Sequence, residues 1–100
     1  MILARVVMQA KFGKADDLVT EIKGSTTDLT EEQIASLQPR LLTDISGSFD
    51  TVVLETTHKS LAALEQFRKA IFARSAEREG PSPMEELVAS GRNEYYTIEV

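Results

Sequence analysis

The chain has 100 residues, of which 42% are hydrophobic, and its 16 acidic and 11 basic side chains give a formal net charge of −5. The basic residues are scattered, which argues against a nucleic-acid partner, and the absence of cysteine excludes disulfides, thiolate nucleophiles and zinc–thiolate sites. No signal-peptide core and no apolar run long enough to cross a bilayer is found, so we expect no membrane partner. These features predict a single cytoplasmic domain over residues 1–100.

The first half of the chain alternates between strand and helix patterns. Residues 2–12 are apolar on both alternating rows, which predicts a central strand covered on both faces. Residues 15–22 repeat apolar side chains at helical spacing, and Gly24 is placed to end that helix. Thr30 and Gln33 form a capping box for a second short helix, which Pro39 is expected to stop.

The second half repeats this alternation. Two extended segments between residues 40 and 57 flank Ser46-Gly47-Ser48, which predicts an antiparallel hairpin. Ser60 is placed to cap the next helix. Its predicted apolar stripe consists of Leu61, Leu64, Phe67, Ala70 and Ile71. Ser82-Pro83-Met84-Glu85 predicts a further short helix through Val88, with the last strand beginning near Gly91.

The resulting order is β-α-β-β-α-β, an α+β arrangement in one four-stranded antiparallel sheet. Right-handed crossovers place strands one and three in the centre and both long helices on one face. Strand alternation then predicts a mixed polar and apolar set on the uncovered face: Arg5, Val7, Gln9, Thr51, Val53, Glu55, Tyr95 and Thr97. Because small proteins seldom leave such a face open to water, we expect a second copy of the chain to cover it.

Two segments carry a resemblance to a known family, RVVMQAKFGKADDLV at the start and GRNEYYTIEV at the end. They resemble the dimeric α/β barrel superfamily, in particular its NIPSNAP-like and antibiotic-biosynthesis-monooxygenase-like branches. The resemblance implies a ferredoxin-like subunit whose sheet faces that of a second copy. It also implies a cavity for a small molecule. Members include cofactor-free oxygenases of polycyclic aromatic substrates, haem-degrading enzymes, isomerases and ligand-sensing domains.

The chain departs from the haem-degrading members. Those members are similar to one another in using tryptophan, asparagine and histidine around the haem, whereas this chain has no tryptophan and only Asn93 and His58. We therefore expect no haem chemistry and no cofactor. One histidine without cysteine also makes a transition-metal site unexpected.

Five polar residues are candidates for contact with a ligand: Arg5, Gln9, Glu55, His58 and Tyr95. Arg5 could clamp a carboxylate or enolate, although an ion pair with Glu55 on the adjacent strand is the favoured interpretation. Tyr95 and Tyr96 must point to opposite faces, so only one can line a cavity. His58 has a pKa suited to acid-base chemistry, but its neighbours Thr57 and Lys59 favour an exposed turn.

Three functions remain open. The first is a homodimer that binds a small, largely apolar or aromatic molecule between sheet and helices. The second is a cofactor-independent monooxygenase or isomerase, in which Arg5 or Tyr95 stabilises an enolate and a cavity carboxylate or His58 moves the proton. The third is a structural or regulatory dimerisation domain, in which the pair of Arg5 and Glu55 sets the register.

Overall fold

The computed structural model describes residues 1–45, 49–76 and 83–100. Its four strands and four helices follow the predicted alternation. The strands are β1 (Ile2–Ala10), β2 (Arg40–Thr43), β3 (Thr51–His58) and β4 (Val88–Thr97). The helices are α1 (Ala15–Thr26), α2 (Glu31–Leu37), α3 (Leu61–Ala76) and α4 (Pro83–Leu87).

The strands form one antiparallel sheet in the order β2-β3-β1-β4. The predicted central position of β1 and β3 is thereby confirmed. Even-numbered residues of β1, such as Ala4 and Met8, lie on the side covered by helices, which we call the helix face. Odd-numbered residues such as Arg5 and Val7 lie on the other side, the open face.

The core lies between the sheet and α1. Its buried members are Met8, Ala10, Leu18, Ile22 and Val52. Leu18 and Val52 are completely removed from water, which places the tightest packing where the middle of α1 crosses β1 and β3. Apolar side chains of α4 and of the start of β4 pack against the same cluster.

Helix α1 runs past Gly24 to Thr26, so the prediction that Gly24 ends it is wrong. The hydroxyls of Thr26 and Thr27 donate to the carbonyls of Lys23 and Gly24, both at 2.7 Å. The Gly24 carbonyl also accepts from the Thr27 backbone at 3.3 Å. Hydroxyl and backbone donors thus satisfy carbonyls of the last turn, and the helix does not need glycine to terminate.

Helix α2 begins and ends as predicted. The Thr30 hydroxyl accepts from the Gln33 backbone at 3.1 Å, and the Gln33 side chain accepts from the Thr30 backbone at 2.9 Å. The last helical residue is Leu37, and Gln38 adopts a left-handed conformation directly before Pro39. The two extended segments of the hairpin pair as expected, whereas Ser46-Gly47-Ser48 lies outside the described residues.

Ser60 caps α3 as predicted, since its hydroxyl accepts from the Ala63 backbone at 3.2 Å. The predicted apolar stripe is covered only in its middle. Leu64 is buried and Phe67 half-buried, whereas Leu61 and Ile71 near the two ends are exposed. Helix α3 therefore packs on the sheet through a short central segment.

Strand β4 begins at Val88, three residues before the predicted start at Gly91. Gly91 is an interior strand residue, and a Cβ atom there would lie 3.3 Å from the Val7 carbonyl oxygen. The lack of a side chain lets β4 approach β1 closely. Ser82, the predicted cap of α4, lies outside the described residues. In the described part of the chain, the helices are too short or too polar to span a bilayer.

Candidate functional site

A group of contacting polar and aromatic side chains lies on the helix face where α3 crosses the sheet. Ala4 of β1 pairs with Thr56 of β3 on one side and with Tyr95 of β4 on the other. Above this row, the consecutive residues Phe67 and Arg68 of α3 reach in opposite directions, Phe67 to His58 and Arg68 to Tyr95. We call Ala4, Thr56, His58, Phe67, Arg68 and Tyr95 the helix-face site.

His58 is buried in this site, with 5% of its surface exposed. The expectation of an exposed turn is wrong because β3 continues through His58, which pairs with Ile2 of the central strand. The ring lies 5.2 Å from the Phe67 ring, centroid to centroid. Nε2 lies 2.8 Å from the Thr56 hydroxyl oxygen, and this hydrogen bond uses one of the two ring nitrogens.

Burial lowers the pKa of His58 below its usual value of 6.5, because the charged imidazolium loses water contacts. The neutral ring is therefore the stable form at neutral pH. A neutral imidazole next to a hydroxyl is able to accept a proton, which is the chemical property required of a general base.

This burial makes the stability of the fold sensitive to pH. The unfolded chain takes up a proton near pH 6.5, whereas folded His58 resists it until lower pH. We expect the free energy of unfolding to fall as the pH drops from about 7.5 through 6.5 to 5, because the unfolded state binds more protons in that range. Urea titrations of the wild type and of His58→Gln measure this. The variant should lose much of the slope, and an identical slope in both proteins would contradict the assignment.

Tyr95 lies on the helix face, so the prediction that it and Thr97 lie on the open face is wrong. Tyr95 pairs with Ala4, whereas Tyr96 pairs with Leu3 and points to the open face. Nη1 of Arg68 donates to the Tyr95 hydroxyl, and its guanidinium carbon lies 5.8 Å from the centre of the tyrosine ring. The phenol accepts from the arginine and keeps its own proton to donate.

Arg68 is absent from the candidates that the sequence suggested. A signal for it exists, because it lies four residues after the buried Leu64 and next to Phe67, within the apolar face of α3. The side chain of Arg68 runs along the sheet, and its guanidinium donates to the Tyr95 hydroxyl. Arg68 and Tyr95 supply hydrogen-bond donors. The neutral His58 ring has one donor and one acceptor nitrogen, and Nε2 is bonded to Thr56.

The other three candidates lie on the open face. Arg40, Glu55, Arg5 and Glu94 are successive cross-strand partners in β2, β3, β1 and β4, and we call them the charge row. The Glu55 side chain is 8% exposed and pairs with Arg5 Nε at 3.0 Å and with Arg40 Nη2. Arg5 Nη1 also lies 3.0 Å from Glu94 Oε1. The favoured ion pair of Arg5 with Glu55 is therefore confirmed.

Glu94 ends the charge row on β4. Arg92 Nε donates to Oε2 at 2.9 Å, and the Tyr96 hydroxyl donates to Oε1 at 3.1 Å. The hydrogen bond from Arg92, followed by that from Tyr96 and the charge of Arg5, holds the pKa of Glu94 below its usual value, while partial burial opposes this shift. Glu94 is therefore ionised at neutral pH.

Gln9 stabilises the end of the β2–β3 hairpin. Its amide nitrogen donates to the Phe49 carbonyl, and its amide oxygen accepts from the Thr51 hydroxyl at 3.1 Å. It also lines a shallow groove of about 480 Å³ on the open face, together with Val7 and Arg92. Because both ends of the amide are already bonded, Gln9 holds the chain in place more than it offers a contact to a ligand.

The five candidates thus divide between two faces, with His58 and Tyr95 in the helix-face site and Arg5, Gln9 and Glu55 on the open face. Among the described residues, no group of three or more His, Cys, Asp or Glu side chains is arranged to hold a metal ion.

No protein-family model matches the chain, and no curated protein sequence matches it significantly. Several solved structures match the chain. The protein is similar to PA3566 from Pseudomonas aeruginosa, with 19% identity, a TM-score of 0.68, and coverage of 99% of this chain and 94% of that one. It is also similar to an uncharacterised NIPSNAP domain protein from Burkholderia xenovorans, with 15% identity, a TM-score of 0.64, and coverage of 98% and 94%.

A third similar structure is a mutant of MhuD that holds two manganese protoporphyrin IX molecules in each active site. The identity is 16%, the TM-score is 0.75, and the match covers 100% of this chain and 96% of that one. These likenesses establish the ferredoxin-like α+β fold. They confirm the fold that the resemblance implied.

Proposed function

We propose that the protein is a homodimeric α/β-barrel protein that binds a small, largely apolar or aromatic molecule between α3 and the sheet. One observation carries the ligand site. Phe67 contacts His58 on one side of β1 and Arg68 contacts Tyr95 on the other, with the buried Ala4 between Thr56 and Tyr95 on the sheet. Sites for small molecules combine apolar and aromatic side chains with a few convergent polar groups, and this cluster has that composition.

The surrounding groups favour a particular kind of ligand. The Phe67 ring and the Ala4 methyl offer apolar contact, while Arg68 and Tyr95 offer donors at one end. Donors of this kind recognise a carboxylate, a phenolate or a carbonyl oxygen. An aromatic molecule with one acidic or carbonyl group therefore fits the site better than an amine does.

The homodimer is supported by the open face. Val7 and Val53 lie in its centre next to the charge row, and both are already nearly covered within the single chain. The support therefore comes from the flat area of the sheet. The strands have 9, 4, 8 and 10 residues and lie about 4.8 Å apart. At about 3.3 Å per residue they present roughly 500 Å² of flat area, before the side chains are counted. That is of the order of the roughly 800 Å² of accessible surface that each partner buries in a standard interface. A second copy of the chain is the partner that the resemblance implies.

A second candidate function is a cofactor-independent monooxygenase or isomerase, favoured by the neutral, buried His58 on the same face as Tyr95. His58 would accept a proton from the substrate, and the Tyr95 and Arg68 donors would stabilise the resulting enolate oxygen. Binding without turnover is the simpler proposal, since it requires only the contacts and no reaction.

Binding of the aromatic sulfonate 1-anilinonaphthalene-8-sulfonate, followed by fluorescence, tests the ligand site. We expect Arg68→Met to weaken saturable binding about tenfold, because a charge-assisted hydrogen bond to the anion is lost. The matched control is Lys69→Met, which removes a neighbouring exposed charge of α3 and should leave binding unchanged. Circular dichroism verifies that both variants fold.

Equal weakening in both variants would show that the probe senses only net charge, and a folded wild type without saturable binding would contradict the ligand site. Native mass spectrometry of the wild type tests the dimer. A dimer with no probe bound would favour the third function, that of a structural or regulatory dimerisation domain.

A further inference from the structure

An open pocket lies at the end of the sheet opposite to the helix-face site. It has a volume of about 380 Å³ and is lined by Phe12 and Gly13, which follow β1, and by Phe49 and Asp50, which precede β3. We call these four residues the aromatic pocket. The helix-face site lies around Ala4, near the start of β1, so the two sites share no residue.

Hydrogen bonds hold the two loops of the aromatic pocket together. The Ala10 N–H donates to the Asp50 carbonyl at 2.9 Å, and the Gly13 N–H donates to Asp50 Oδ2 at 3.1 Å. The Gln9 side chain donates to the Phe49 carbonyl. Asp50 has a φ of 59°, a left-handed conformation that aspartate adopts more readily than most residues other than glycine. These contacts fix the main chain of both loops relative to the sheet.

The two phenylalanine side chains of the aromatic pocket are unusually exposed. Phe12 is 89% exposed and Phe49 is 80% exposed, although phenylalanine is among the residues most often buried. Neither ring belongs to the core cluster, so packing within the chain does not explain them. Exposed apolar side chains that lie together mark sites of contact with other molecules.

The charges at the aromatic pocket favour a cation. Asp50 Oδ2 accepts from Gly13, whereas Oδ1 has no hydrogen bond among the described residues. The neighbouring Lys11 and Lys14 do not line the pocket, and Lys14 pairs with Asp17 at 3.8 Å. The face of an aromatic ring attracts a cation because its electrostatic potential is negative. The net charge of −5 also favours the approach of a cation.

We propose that the aromatic pocket binds an organic cation of the quaternary ammonium class, with its methyl groups against Phe12 and Phe49 and its charge next to Asp50. A quaternary ammonium group has no N–H, so the rings and one carboxylate are sufficient partners for it. A primary ammonium is strongly hydrated and has three donors, which a single free carboxylate oxygen cannot satisfy. This proposal is independent of the function proposed for the helix-face site.

Choline and 3,3-dimethyl-1-butanol test the proposal, because the two molecules have the same shape and only choline is charged. NMR titrations of the ¹⁵N-labelled wild type report binding through the amide of Gly13, which donates to Asp50. We expect saturable choline binding with a dissociation constant of about 1–10 mM, since cation–π contacts at exposed sites are individually weak. The neutral alcohol should bind about fivefold more weakly or less. Sodium chloride at equal concentration corrects for ionic strength.

Three substitutions separate the contributions of the rings and of the carboxylate. Phe12→Leu and Phe49→Leu keep an apolar side chain without an aromatic face, and each should weaken choline binding about three- to fivefold. Asp50→Asn keeps an oxygen for the Gly13 N–H and suits the left-handed conformation, so it removes the charge alone. We expect a similar loss. Glu65→Gln, at an exposed position of α3, is the matched control for net charge and should leave binding unchanged.

Equal binding of choline and the neutral alcohol would overturn the proposal, because the pocket would then be only an apolar groove. Ethanolamine that binds as tightly as choline would also overturn it, since the carboxylate alone would account for binding. A folded wild type without a saturable shift up to about 100 mM choline would do the same. These comparisons use the wild type and stay decisive even if a variant does not fold.

Discussion

Replacing Leu18 by alanine is expected to lower the free energy of unfolding by about 3–5 kcal/mol. Leu18 is fully buried in the middle of α1 and belongs to the cluster that joins this helix to β1 and β3. Removing its three outer carbons deletes their transfer free energy and leaves a cavity that tightly packed neighbours such as Val52 fill only in part. For a 100-residue domain this is a large part of the total stability.

Urea denaturation followed by circular dichroism measures the effect. Ile34→Ala in α2 is a suitable control, because it removes a branched side chain that is 43% exposed and should cost less than half as much. Similar losses in both variants would mean that α1 does not hold the principal core.

Local sequence signals predicted the fold well where they act within a few residues. The capping box of Thr30 and Gln33 and the cap at Ser60 depend only on near neighbours, and both are present. The central position of β1 followed from apolar side chains on both of its rows. These features need no knowledge of the tertiary packing.

The sequence could not predict which face of the sheet each β4 side chain occupies, and the reason is physical. Period-2 alternation assigns a face only when one row is clearly apolar, and here Tyr95 and Tyr96 are aromatic on both rows. Both tyrosines also remain partly exposed, so burial does not distinguish them. The register against Ala4 and Leu3 decides which side chain faces α3, and that register is a long-range property.

The helix-face site was only half predictable for a related reason. His58 and Tyr95 were candidates, but nothing local places a residue at position 58 beside one at position 67, or Tyr95 beside Arg68. The flanking polar residues Thr57 and Lys59 indicated exposure for His58. They were misleading because the strand extends through the histidine and α3 covers it.

Enlarging Ala4 is expected to weaken ligand binding strongly while leaving the fold in place. Ala4→Leu adds three carbons between Thr56 and Tyr95, under Phe67 and Arg68. Overpacking of this kind costs about 1–3 kcal/mol of stability. We expect the affinity for 1-anilinonaphthalene-8-sulfonate to fall more than tenfold, because the larger side chain displaces Phe67 and Arg68, the residues proposed to contact the ligand.

Ala10→Leu provides a matched control on the same strand and the same face. Ala4 and Ala10 are 4% and 3% exposed, but Ala10 packs in the cluster beneath α1 and not in the helix-face site. Both variants carry a similar packing cost, so a difference in binding reports on position and not on stability. If Ala10→Leu abolishes binding and Ala4→Leu retains it, the ligand lies under α1. That result would contradict the helix-face site and the roles proposed for Arg68 and Tyr95.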